Sequence, residues 1–266
     1  MTPTVALTIA GSDSSGGAGV QADLKTFAAL GVFGASAITA LTAQNTTGVV
    51  AVHTVPPEFV LAQVEAVLAD LPVAAVKTGM LADAGIVAVV AELASAGRLP
   101  RLVVDPVMVS SSGDRLLERD AERDYRSALL PHAAVVTPNV HEAGVLLDRP
   151  IGTLADQHEA ARALGSTGVA VVVTGGHEVA ETGQEAVDVV WDGNRTYELR
   201  SPRLVASNNH GTGCTFASAV AAGLARGLDL EPALRRAKAY VASSMASSAQ
   251  WHLGSGHGPL DHFGWN

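Results

Sequence analysis

Short apolar runs, each halted by glycine, aspartate, asparagine or threonine, alternate along nearly the whole chain with longer stretches of helical spacing. The runs at 5–10, 36–42, 74–77, 102–105, 133–137 and 169–174 are too short for helices and are apolar at successive positions, so they read as strands buried on both faces. The stretches at 20–30, 58–71, 84–96, 121–130, 140–147 and 156–164 carry the periodicity of amphipathic helices. Strands buried on both faces need helices on both sides, which predicts an α/β chain with a mostly parallel sheet. Near 186–191 and 195–199 the pattern changes to two strands around Asp192-Gly-Asn194, a hairpin signal, before helices return at 215–226 and 232–251. No proline-rich linker, charge block or repeat divides the 266 residues, so they read as one domain, 1–266.

Composition narrows the function classes. The net charge is −9 and the 17 basic residues do not cluster, which argues against a nucleic-acid surface. One cysteine, Cys214, cannot form an intrachain disulfide and suits a reducing compartment. The uncharged stretch 27–43 is broken by Gly31, Gly34 and hydroxyl residues, so it reads as a helix end and a buried strand rather than a membrane span. The first residues hold no basic leader and run straight into a strand, so the expectation is a soluble, cytoplasmic protein acting on small molecules.

Ligands of such sheets sit beyond the carboxyl ends of the strands, where strand order switches. The glycine-rich segment 11–19 follows the first strand but lacks the Gly-Lys-Ser/Thr ending of a P-loop. Its Gly17-Ala-Gly-Val-Gln-Ala22 fits a dinucleotide turn, yet no acidic residue for a ribose occurs between positions 24 and 57. Asp13 and Asp23 flank this segment and can orient a polar substrate.

A second candidate is Asn209-His-Gly-Thr-Gly-Cys-Thr215, which opens a helix of small residues. Its glycines let backbone N–H groups turn toward one point at the positive end of the helix dipole, which makes an anion hole. The same dipole should favour thiolate at Cys214, and His210 is a candidate partner for that thiol. Third, Asp105 and Glu142 are spaced strand-end carboxylates that can share Mg²⁺ with phosphate oxygens, while Asn139 and Glu142 also fit a capping box. His252, His257 and His262 have no ligand cluster around them and read as surface or packing residues. The Gly113-Asp114 region and the segment after Gln44 are rich enough in glycine and threonine to move as lids.

Seven segments in series carry a resemblance over essentially the whole chain: 7–25, 39–45, 77–81, 105–108, 137–139 with Glu142, Gly175-Gly-His177 and 210–215. In this order they resemble the hydroxymethylpyrimidine/phosphomethylpyrimidine kinases of thiamine biosynthesis, in the ribokinase-like superfamily. The resemblance implies a three-layer α/β/α domain, a homodimer, and ATP with Mg²⁺, with a monovalent cation left open. It assigns Asp23 and Gln44 to hydrogen bonds with the aminopyrimidine, and Gly11, Met80 and Val107 to its pocket. Gly211, Thr212 and Gly213 would form the anion hole, and Cys214 would stand where a base activates the substrate hydroxyl. Asp105 and Glu142 would organise the metal, and Asn139, Thr174, Gly176 and Lys238 the nucleotide. Many relatives carry lysine where this chain has Thr174. Pyridoxine or pyridoxal kinase of the same superfamily, and a pyrimidine-binding sensor without catalysis, are the alternative readings.

Overall fold

The computed structural model describes residues 2–108, 124–175, 183–204 and 206–265. Among them the apolar runs become one sheet in the order β3-β2-β1-β4-β5-β6-β7-β8-β9. The strands are β1 (Val5–Asp13), β2 (Phe33–Asn45), β3 (Gly48–Thr54), β4 (Val73–Thr78), β5 (Val103–Val104), β6 (Val135–Val136), β7 (Ala170–Thr174), β8 (Glu185–Trp191) and β9 (Thr196–Pro202). From β2 across to β7 every pairing is parallel, whereas β3 and the β8–β9 hairpin run antiparallel at the two edges. The hairpin lies where the Asp192-Gly-Asn194 signal places it. Strand β3 was not anticipated: its residues are half-buried or exposed, so it has no buried apolar run to betray it.

The helices are α1 (Gly19–Ala29), α2 (Pro57–Asp70), α3 (Ala84–Ser95), α4 (Val140–Leu147), α5 (Leu154–Leu164), α6 (Thr212–Ala225) and α7 (Leu230–Ser248). Successive strand residues point to opposite faces, and the two faces build two cores. Leu7, Ile9, Val76, Val104, Val136 and Val171 pack with residues of α2 to α5. Their neighbours Ala6, Ala75, Val103, Val135, Ala170 and Val172 pack with Phe27 of α1 and with α6 and α7. This is the expected three-layer α/β/α arrangement. The helix expected at 121–130 lies partly outside the described residues, and its described end is a π-helical turn, Tyr125–Leu129. The proposed lid around Gly113-Asp114 lies outside them altogether. No helix among the described residues is long and apolar enough to cross a membrane.

Strand β1 is flanked by β2 on one side and β4 on the other, so chain progression reverses there. The crevice beyond the carboxyl ends of β1 and β4 is therefore where this topology puts a ligand.

Candidate active site

The loop after β1 is organised by one carboxylate. Asp13 Oδ1 accepts from the Ser15 amide at 2.8 Å and its hydroxyl at 2.7 Å, while Oδ2 accepts from the amides of Gly17 at 3.1 Å and Ala18 at 2.8 Å. His210 Nε2 lies 2.8 Å from the same Oδ2, joining this loop to the one before α6. Burial works to raise the Asp13 pKa, but the His210, Ser15 and Ala18 hydrogen bonds outweigh it and hold the carboxyl well below the ordinary range. His210 is thus engaged by Asp13 and, at 3.4 Å, by Gln44 Nε2, so it is not a partner dedicated to Cys214.

The two loops meet backbone to backbone. Gly211 has φ +83°, and a side chain there would run into the Gly17 carbonyl. As the N-cap of α6, Gly211 contributes no side-chain cap, and no acidic residue occupies the first turn. Of the leading amides of α6, that of Thr212 meets the Asn209 carbonyl at 3.4 Å, which leaves those of Gly213 and Cys214 for an outside acceptor at the positive end of the dipole. Thr212, Gly213 and Cys214 form that turn, and beyond its chain neighbours and its own helix backbone no heavy atom stands within 4 Å of where a Gly213 Cβ would be.

Cys214 departs from expectation. Burial pushes its thiol up to about 12; the Lys77 charge and the Gly19 amide oppose this, while Asp105 and Asp23 add to it. The dipole alone therefore does not produce a thiolate, because desolvation and two nearby carboxylates disfavour the anion.

Asp23 also differs from its assigned role. It is fully buried, and both oxygens are engaged: Oδ1 by Lys77 at 3.0 Å and Ser218 at 2.6 Å, Oδ2 by Thr8 at 2.6 Å and Lys77 at 3.1 Å. A carboxylate so placed has both its oxygens taken by groups of the protein itself. Its partner Lys77 received no role from the sequence, although a lone ammonium in the apolar run 74–77 must be paired if the strand is buried. Lys77 is itself fully buried, 3.6 Å from Asp105 Oδ2. Desolvation works to lower its pKa, but Asp23, Cys214 and Asp105 hold it above the ordinary lysine range.

The expected acceptor residues converge. A Cβ on Gly11 would stand 2.7 Å from the Met80 Cε, so these two share a wall, and the Met80 carbonyl is fixed by Thr39 Oγ1 at 2.6 Å. Gln44 is tied to the first loop, its amide and carbonyl bracketing the Ser14 hydroxyl at 2.8 Å each. Val107 is half-buried just beyond Asp105, whose carbonyl its amide meets at 2.8 Å.

Farther along the sheet edge, Asn139 and Glu142 form the foreseen capping box of α4. Asn139 pairs with Thr174 in an isolated bridge. Lys238 is bound by Asp188 Oδ2 at 2.7 Å, and Asp188 Oδ1 accepts from the Gly175 amide at 3.2 Å. Asp188 was missed, though a carboxylate inside the apolar run of β8 is the same kind of signal as Lys77. Gly176 lies outside the described residues. His257 and His262 are engaged by Asn209 and Thr215, and among the described residues no three potential ligands group as a metal centre.

Residues 13–261 match the Phosphomethylpyrimidine kinase family model. A hydroxymethylpyrimidine/phosphomethylpyrimidine kinase from Rhizobium meliloti (strain 1021) is 50% identical over 262 residues, covering 97% of either chain. The ADP complex of Bacillus subtilis pyridoxal kinase superposes with a TM-score of 0.90 at 36% identity, over 98% of each chain. The phosphomethylpyrimidine kinase of Clostridium difficile 630 does so at 0.77 and 39% identity, over 90% of this chain and 98% of that one. Matched by this family model over residues 13–261 and by a relative 50% identical over 97% of either chain, the chain belongs to the phosphomethylpyrimidine kinase family.

Proposed function

We propose that this protein transfers the γ-phosphoryl group of ATP to the hydroxymethyl oxygen of 4-amino-5-hydroxymethyl-2-methylpyrimidine, and a second phosphoryl group to the resulting monophosphate. The observation that carries the reading is the left-handed Gly211 cap, which opens the first-turn amides of α6 beside Cys214. In the first transfer the acceptor oxygen bonds to the γ-phosphorus as the bond to ADP breaks, and the hydroxyl proton passes to the thiolate form of Cys214. The transition state is loose, with charge on the equatorial oxygens, so donors fixed where that charge develops matter most. Each well-placed donor in such a hole contributes about 3–4 kcal/mol.

Gly11, Met80 and Val107 wall the heterocycle and the Gln44 amide pairs with its aminopyrimidine edge, since one amide can donate and accept. Asp23 supports the site through its pairing with Lys77. Asn139, Thr174, Gly176 and Lys238 hold the nucleotide, with the Thr174 hydroxyl where many relatives have an ammonium. Asp105 Oδ2 is buried, lies 3.6 Å from the Lys77 ammonium and has no hydrogen-bond partner at ordinary distance, so it keeps acceptor capacity for a second cation. With Glu142 it suits Mg²⁺, which takes one or two carboxylates plus phosphate oxygens. These two carboxylates would hold the ion, which would supply neutralisation of phosphate charge. A catalytic thiol works reduced, which supports a cytoplasmic setting. The exposed β2–β3 edge, with Leu41 at 48%, Val50 at 81% and Val52 at 46% accessibility, supports a homodimer.

The test is ATP consumption on the pyrimidine, its monophosphate and pyridoxal, with products separated by charge. Passage from mono- to diphosphate is expected; turnover of pyridoxal alone, the acceptor named for the Bacillus subtilis neighbour, would replace this reading. Cys214→Ala should slow the first transfer about 10²–10⁴-fold. The second transfer should slow less, because a phosphate acceptor is already ionised at neutral pH. Gln44→Met should weaken pyrimidine binding more than pyridoxal binding, and equal losses would refute the assignment.

A further inference from the structure

Segment 256–262, which the transfer chemistry proposed above does not use, runs alongside the glycine turn before α6. His257 Nδ1 lies 2.8 Å from the Asn209 side-chain carbonyl, and since that oxygen only accepts, the ring donates. One residue on, the Gly258 carbonyl accepts from the His210 amide at 3.0 Å, and His210 pairs with Pro259 in a parallel bridge. At the far end His262 Nε2 meets the Thr215 hydroxyl at 3.0 Å, and both residues are buried. The contacts begin two residues before Gly211 and end one residue after Cys214, so they flank the turn assigned to the phosphoryl group on both sides.

The segment is itself anchored on two sides. Its His257 amide donates to the Thr46 carbonyl at 2.9 Å, and a Cβ on Gly256 would run into that oxygen, so glycine lets the segment lie this close to the β2–β3 turn. Thr46 stands two residues beyond Gln44. On the other side the Tyr240 hydroxyl of α7 donates to the His262 carbonyl at 2.8 Å, and the Ser247 hydroxyl to Asp261 at 2.6 Å. The turn before α6 has less to hold its own shape, because its cap Gly211 carries no side chain and sits at φ +83°.

We infer that His257 and His262 are positioning residues of the transfer site: by gripping Asn209 and Thr215 they hold the intervening Gly211-Thr-Gly-Cys214 turn in the shape that aims its amides at one acceptor. Both rings act through the residues they hold. A misplacement of about 1 Å at such a site can cost about 10²-fold in rate, so bracing of this kind is read in kcat. The kinetic side of the inference rests on the phosphoryl transfer proposed above, whereas the ordering of the turn does not.

His257 is exposed, so His257→Ala should keep the wild-type Tm within about 2 °C. Its kcat for the first transfer should fall about tenfold or more while the KM for ATP stays within about twofold. His257→Asn puts an amide N–H in place of the Nδ1 donor and should restore most of the rate. In a cycle with Asn209→Ala the double variant should be no slower than the slower single variant, because both cut one link. His262→Leu should act in the same direction and His262→Gln should restore the rate; should His262→Leu fail to fold, the His257 series decides. Hydrogen exchange needs no turnover, and in His257→Ala the amides of His210, Thr212 and Thr215 should exchange about two- to tenfold faster, the protection that one hydrogen bond supplies. An unchanged kcat or unchanged exchange in His257→Ala overturns the inference, as does a loss that asparagine fails to restore or that adds in full to that of Asn209→Ala. A wild type that phosphorylates no acceptor sinks the proposed function instead, and the exchange rates then decide the positioning role alone.

Discussion

Replacing Asp13 by alanine removes the acceptor that joins the two glycine loops, and the structure sets the scale of the loss. Five hydrogen bonds end on this carboxylate. Ser15 is exposed and can turn its two donors to water, whereas the Gly17 amide and the His210 ring are buried and the Ala18 amide is partly so. A buried donor deprived of its partner costs about 1–3 kcal/mol, so these three should cost about 3–5 kcal/mol together. Unfolding entropy of about 2.1 cal/mol/K per residue then implies a Tm about 5–9 °C lower for a chain of this length. Asp13→Asn keeps one oxygen and should lose roughly half as much. The pH dependence has a fixed sign. The folded carboxyl lies below its unfolded value, so its stabilisation is complete above about pH 4 and is lost as pH falls through the folded value. Calorimetry of wild type and Asp13→Ala from neutral pH to about pH 3 should show a gap that is constant above about pH 5 and narrows below about pH 4. A neutral-pH gap under about 1 °C, or one that widens in acid, would show that this carboxylate does not tie the loops together.

The other expectations concern the remaining parts of the site. Gly211→Ala places a side chain in a left-handed conformation and against the Gly17 carbonyl, so Tm should fall by several degrees and turnover by about 10²-fold or more, whereas Gly213→Ala, with open space at its Cβ, should keep the wild-type Tm within about 1 °C. Equal Tm losses at both glycines would contradict this account. Lys238→Met strands the buried Asp188 carboxylate at a cost of about 3–5 kcal/mol, while Lys238→Met/Asp188→Asn should recover most of the lost Tm but not the KM for ATP. Full recovery of KM in that double variant would reduce the pair to packing. If the proposed homodimer forms through the exposed edge strand β3, Val50→Asp puts a charge there and should shift sedimentation from dimer to monomer; a wild-type profile that is monomeric, or one unchanged by the substitution, would refute that surface.

The layers were legible because burial on both faces leaves a plain mark. Runs such as 102–105 and 133–137 contain the observed β5 and β6, even though only Val103–Val104 and Val135–Val136 pair as strands. Strand β3 left no mark because it is an edge with exposed valines, and its existence depends on pairing with β2. The glycine turn before α6 was legible for a similar reason, since glycine at 211 is demanded by its own φ and by its neighbour's backbone. What could not be read was the balance of charges. Cys214 at a helix start looks like a thiolate because the dipole is local to the sequence, whereas the opposing terms, burial and the carboxylates of Asp23 and Asp105, arrive from other elements. Asp23 looked like a substrate ligand because its lysine partner lies 54 positions away.

Three of the buried polar pairs among the described residues form a pattern in themselves. Asp13–His210, Lys77–Asp23 and Asp188–Lys238 each join different elements, and each reaches a part of the proposed site: the Gly17 and Ala18 amides, Ser218 on the helix of Cys214, and the Gly175 amide. Buried pairs are poor sources of stability, because desolving two charges offsets most of their attraction and an apolar pair of similar volume often serves as well. Stability alone therefore gives no reason for three of them at one end of one sheet. Backbone placement does, because a carboxylate that also accepts an amide hydrogen fixes that amide's direction in a way an apolar contact cannot. A loose phosphoryl transition state asks the protein for little besides donors held in place. On this argument the pairs are retained for the geometry of the site, and separating Tm from KM in the Lys238→Met/Asp188→Asn variant is the measurement that decides it.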